Sequence, residues 1–216
     1  MSDLRRRIEV LNAVHRPLRT LLDALRTGDP EEAFVAYQFT QSGDAWQDVT
    51  VSLAAAGRLG FSDPSWDKYI DDGAGSTGLY MPHFSAGLVN EVVFSLQLPH
   101  GHRGAANVHL HWAPLTAGAG DVIIEFEYTV SSRSGVTPAS IVHRKTFATG
   151  GVAKQEQING LVTVAGLGDS DLLICRLARL GNDAADTYAG AVVGLSVDAH
   201  VNLSTVGSLT EYPDSM

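Results

Sequence analysis

From residue 88 onward the chain divides into seven short runs in which apolar and polar residues alternate: "LVNEVVFSLQL", "NVHLHWAP", "DVIIEFEYTV", "ASIVHRKTF", "INGLVTVAG", "DLLICRLARL" and "AGAVVGLSVDAHVNL". A helix repeats its apolar positions every three to four residues, whereas a period of two sends successive side chains to opposite faces of a strand. The last run is the cleanest, with Leu195, Val197, Ala199, Val201 and Leu203 on one face and Ser196, Asp198, His200 and Asn202 on the other. One apolar and one polar face per strand is the pattern of antiparallel sheets packed in pairs. A further run, "VTVSLAAAG", predicts a strand near 48–56 that joins them. Strands do not alternate with amphipathic helices, which argues against a doubly wound parallel sheet. The expected fold is therefore mainly β, an antiparallel β-sandwich, jelly-roll-like, of about eight strands with an N-terminal α-helical arm.

The arm is residues 1–28. Leu4, Ile8, Leu11, His15, Leu18, Leu22 and Leu25 recur at spacings of four and three, the seam of a coiled coil or of a helix packed on a partner. Pro17 interrupts it, and an interior proline costs about 3 kcal/mol by removing a hydrogen bond, so a kink is expected there. Arg5, Arg6 and Arg7 oppose the helix dipole in the first turn. A helix so handicapped leans on something, and Leu4, Ile8, Leu11, Leu18, Leu22 and Leu25 are the expected interface. Residues 29–87 form a loop-rich connecting segment in which Trp66, Tyr69, Tyr80 and Phe84 are expected to pin the chain to its body or to a neighbour. Residues 88–216 form the sandwich domain.

Charge narrows the partners. The net charge is −9, yet residues 1–28 carry six arginines against three acids, so the remainder carries −12. An acidic body of this kind does not neutralise phosphates, and no direct nucleic-acid partner is expected. No apolar run approaches the roughly 20 residues needed to cross a bilayer, and the arginine-rich arm lacks the apolar stretch a secretory signal requires, so no membrane partner is expected either. Cys175 is the single cysteine and lies in an apolar run, which assigns it to packing.

The chemistry-bearing candidates are few. His100, His102, His109 and His111 form a histidine group, and a His-x-His pair on a strand can share a metal, as in cupins. That pattern also needs a glutamate shortly after the pair; here Trp112, Ala113, Pro114 and Leu115 follow, and the nearest acids are Asp121 and Glu125. A hairpin turning through "LTAGAG" would set His109 opposite Glu125 as an ordinary cross-strand polar pair. His109, His111 and Glu125 are thus the candidate metal set, but the reading adopted is no metal, no cofactor and no catalytic residue, with both histidines as outward polar side chains beside an inward Trp112. Asp121, Glu125 and Glu127 share one strand face and resemble a glycosidase acid and base only in residue type; a solvated face is the expectation. Asn182, Asp183 and Asp186 lack the ligand rhythm of a calcium loop. No nucleophile elbow occurs, and "GAGSTG" lacks the lysine of a phosphate loop.

Taken together, "QLPHGHRGAANVHLHWAP", "EFEYT", "CRLAR", "DAADTY", "VDAHVN" and "VGSLTEY" resemble, over residues 88–212, a family of virion structural proteins of tailed bacteriophages. The family pattern has a histidine two places before His109, where this chain has Asn107. The resemblance implies a non-enzymatic part of the phage particle, made in the host cytoplasm. The expected role is a capsid decoration or cement protein, assembled as a homo-oligomer, a trimer by preference, with other virion proteins such as the major capsid protein as partners. A tail or fibre component that binds a receptor through loop aromatics is the alternative, and a cupin-like metal-dependent enzyme the second alternative.

Overall fold

The computed structural model describes residues 45–203 apart from 133, 134 and 169. The arm and its interface leucines, with the "VGSLTEY" block, lie outside the described residues. Among the described residues there are ten strands: β1 (Ala45–Ser52), β2 (Ser65–Ile70), β3 (Leu79–Phe84), β4 (Val89–Gln97), β5 (His102–Pro114), β6 (Asp121–Ser131), β7 (Ile141–Ala148), β8 (Gln157–Val164), β9 (Leu172–Leu180) and β10 (Val192–Leu203). One 3-10 turn, Leu53–Ala55, follows β1.

All pairings are antiparallel. The first sheet runs β2-β3-β10-β5-β8, with β1 also on β10, and the second runs β4-β9-β6-β7. Two partners divide one side of β10: β3 takes Val192 and Val193, and β1 takes Ser196 to Leu203. Gly194 sits at the changeover, where a Cβ would lie 2.7 Å from Leu53 Cδ1 and 2.9 Å from Phe84 Cε2. The absent side chain lets the 3-10 turn plug the junction with Leu53, which is wholly buried.

The core lies between the sheets. Val108, Leu110 and Trp112 of β5 and Val197, Ala199 and Val201 of β10 meet Val92, Leu96, Ile124, Phe126, Leu173 and Leu177 from the other layer. Each such large apolar side chain contributes roughly 1.5–3 kcal/mol on burial. Every one of the seven runs read from residue 88 is a strand. The inward face of β5 is the one the alternation predicts, and so is that of β10 from Val197 to Leu203; Leu195, expected inward, falls at the bulge between Gly194 and Ser196, where the alternation breaks and Val192 takes the inward place before it.

Three expectations are corrected. The region 29–87 contributes three strands, where the turn formers suggest one; Pro82 sits in β3, paired with Trp66 of its hairpin neighbour β2. Residues 115–120 do not close a hairpin, because they carry the chain from the first sheet across to the second. Strand β7 is half-buried only at His143 and Phe147, since it hangs on the outer edge of β6 with no facing strand over most of its length.

The crossings are tied to each other. Tyr188, between β9 and β10, donates its hydroxyl to the Thr116 carbonyl at 2.7 Å and accepts from the Thr116 amide at 3.1 Å, which joins two of the chain's passages between layers. Beneath it lies Arg179, whose side chain is wholly buried with that of Asp186.

Candidate functional site

The polar residues of β5 and β10 meet on the outward face of the first sheet. Strand periodicity puts His109 and His111 on one face of β5 and Asp198 and His200 on the same face of β10, and the register sets His109 directly opposite Asp198. Strand β1 brings Asp48 opposite His200. Asp198 therefore has three imidazoles around it and is only 3% exposed although it points away from the core. Its Oδ2 is 3.1 Å from His200 Nε2 and 3.9 Å from His109 Nδ1, and its Oδ1 is 3.1 Å from His111 Nε2. The outer rim is acidic, with Asp48 Oδ1 2.7 Å from His200 Nε2 and Glu156 Oε1 2.8 Å from His111 Nδ1. The rings of His109 and His200 meet edge to face with centroids 4.6 Å apart.

Among the described residues, one group of three or more ligating side chains comes within metal-binding range: His109, Asp198 and His200. His111 stands just outside it, and His100 and His102 do not enter it. Asn107 accepts a hydrogen bond from Thr163 on β8 at 2.7 Å.

Glu125 is nowhere near. Because the chain crosses between layers after β5, Glu125 lies on the second sheet, opposite Arg144 of β7 and Ala178 of β9, so the predicted pair with His109 does not form. Its carboxylate binds Arg176, which also takes Glu91 at 2.7 Å and Glu127 at 2.8 Å. Three carboxylates on one guanidinium are a structural clamp across β4, β6 and β9. Hydrogen bonds from Ser140 and then Arg176 hold the Glu127 carboxyl below the usual range, the wrong direction for a general acid. A group depressed on folding stabilises fully above its unfolded value of about 4.3 and loses that contribution as pH falls through its folded value. Glu127→Gln should therefore be less stable than the parent at neutral pH, with the gap closing below about pH 4. Thermal unfolding of both proteins across that range measures it; a gap that stays constant with pH would remove the clamp.

The remaining candidates have structural partners. Asp183 pairs with Arg144 and caps its own loop at Ala185, and Asp186 belongs to Arg179. Burial pushes the Cys175 thiol up to about 12, consistent with its assignment to packing. Of the aromatics between 29 and 87, Phe84 is in the core, Trp66 lies under the Arg58 guanidinium and Tyr69 under the Lys154 ammonium.

No protein-family model and no curated protein matches this chain. Among solved structures, it is similar to a family 35 carbohydrate-binding module from an environmental isolate, at 15% identity over 69% of this chain and 90% of that one, with a TM-score of 0.39. A CBM35 from Cellvibrio japonicus Abf62 matches at 16% identity, 70% and 92% coverage and a TM-score of 0.37. The GH26-CBM35 β-(1,4)-mannanase of Podospora anserina matches at 14% identity over 77% of this chain with a TM-score of 0.38, and the chain spans 29% of that enzyme's length. With TM-scores this low, the likenesses carry no argument about function.

Proposed function

We propose that the protein is a non-catalytic structural component of a tailed-phage virion: a capsid decoration or cement protein, a jelly-roll-like sandwich that works as a homo-oligomer, a trimer by preference, and grips the major capsid protein. The observation that supports this best is the outer edge of the second sheet. Strand β7 is paired on one side only among the described residues, and Ile141 and Val142 are each 52% exposed on it. An unpaired edge bearing apolar side chains is a template for another chain. The block resemblance supplies the virion context, and the acidic body fits a surface protein better than one that meets packaged nucleic acid.

The test uses the full-length protein. Light scattering should give a trimeric mass, and the protein should co-sediment with empty capsids of its phage and not with isolated tails. A monomer, or association with tails alone, overturns the proposal.

A further inference from the structure

We propose that His109, Asp198 and His200 bind one first-row transition-metal dication of the zinc class on the outward face of the first sheet. The ligating atoms of the three lie within 4.8 Å of one another, near enough for small side-chain movements to close a shell around one ion. Two polar atoms of the cluster, Asp198 Oδ1 and His109 Nδ1, are buried without a hydrogen-bond partner, since His111 Nε2 lies near Oδ1 but off the line of a hydrogen bond. A buried carboxylate left like this is costly. One ion would neutralise the carboxylate and give the His109 nitrogen its partner at once.

The donor set selects the class of ion. Two imidazoles and a carboxylate suit zinc, iron, nickel or copper, whereas calcium prefers six to eight oxygens and magnesium an octahedron of them. Asp48, against His200 Nε2 on the exposed rim, is placed to be a fourth ligand. The next layer of contacts is also present: Glu156 fixes His111 through Nδ1, and His111 stands against the Asp198 oxygen turned away from His109 and His200. His111 acts on the Asp198 carboxylate by proximity, without a hydrogen bond to it. The ligands come from β5 and β10, with β1 beside them, so a bound ion would fasten three strands of the sheet together.

The experiment is a titration of full-length, chelator-stripped protein with Zn2+ by calorimetry and with Co2+ by visible absorption, at about pH 7.5. One ion per chain should bind, with Co2+ giving the d–d bands of protein coordination, and neither Ca2+ nor Mg2+ should compete. His109→Gln, His200→Gln and Asp198→Asn should each weaken binding by at least about 10-fold, and His111→Gln by less than any of them. His143→Gln, on the other sheet, should leave it unchanged. If Asp198→Asn fails to fold, the two histidine variants decide. No saturable uptake by the parent protein, or uptake that survives both His109→Gln and His200→Gln, overturns the proposal.

Discussion

Asp186→Ala should lower the unfolding free energy by about 3–5 kcal/mol, the usual loss when one partner of a buried ion pair is removed. Arg179 uses every donor it has: Nε and Nη2 to the two oxygens of Asp186, at 3.0 and 2.7 Å, and the remaining three to the carbonyls of Phe84, Gly190 and Tyr188. Asp186 also accepts from the Ile123 amide at 3.0 Å. Without the carboxylate, a guanidinium in a dry site keeps its charge and loses its counterion. Arg179→Met should cost at least as much, although it removes the charge, because three carbonyls then lose their donor at about 1–3 kcal/mol each. For the same reason the double variant Arg179→Met with Asp186→Leu should not recover the parent's stability, unlike ion pairs that an apolar pair can replace. Urea unfolding at an unchanged m-value measures all three. A loss under about 1 kcal/mol for Asp186→Ala would mean that water reaches the site and that the pair is not structural.

This pair also shows what the sequence could and could not disclose. On β9, Leu173, Cys175, Leu177 and Arg179 alternate inward, so an arginine stands where an apolar residue is expected and demands a partner, yet of that face only the packing of Cys175 was legible without the fold. Which acid answers it was not, because the loop carrying Asp186 is irregular and its path depends on Tyr188 and Gly190. Most strands from residue 88 were legible because each exposes one face, which a period of two records; β7 is the exception, exposed on both faces apart from His143 and Phe147. Strands β2 and β3 were not, since their exposed edge positions carry little alternation, and the segment is thick with glycine, proline and aspartate. In sequence the crossing after β5 has the look of a hairpin because a six-residue link serves either purpose, and only the completed core decides between them.

The histidine cluster divides in the same way. His109 and His111, and likewise Asp198 and His200, were each placed outward by alternation alone. What brings them together is the β5–β10 register, a contact across almost ninety residues of chain that no local pattern encodes. Once the crossing was misread, Glu125 took the place that belongs to Asp198. The mistake had one cause, the wrong neighbour for β5, and both the pair and the candidate metal set inherited it.

Trp112→Ala is the second large effect, an expected loss of about 3–5 kcal/mol. The indole is 1% exposed and lies among residues of both layers, so its removal leaves a cavity between the sheets. It is also a donor: Nε1 gives a hydrogen bond to Asn159 Oδ1 on β8 at 2.8 Å, which holds that edge strand to its neighbour. Trp112→Phe separates the two contributions. It keeps most of the ring and strips Asn159 of its donor, so the loss should fall to about 1–3 kcal/mol. Adding Asn159→Leu to the phenylalanine variant should then restore part of it, because the stranded amide oxygen is gone. Chemical unfolding of the three proteins, followed by far-ultraviolet circular dichroism since the reporting tryptophan is itself replaced, gives the comparison. Equal losses for alanine and phenylalanine would place the effect in the hydrogen bond alone, and the sandwich would then be held at this point by the edge of β8 more than by its filled centre.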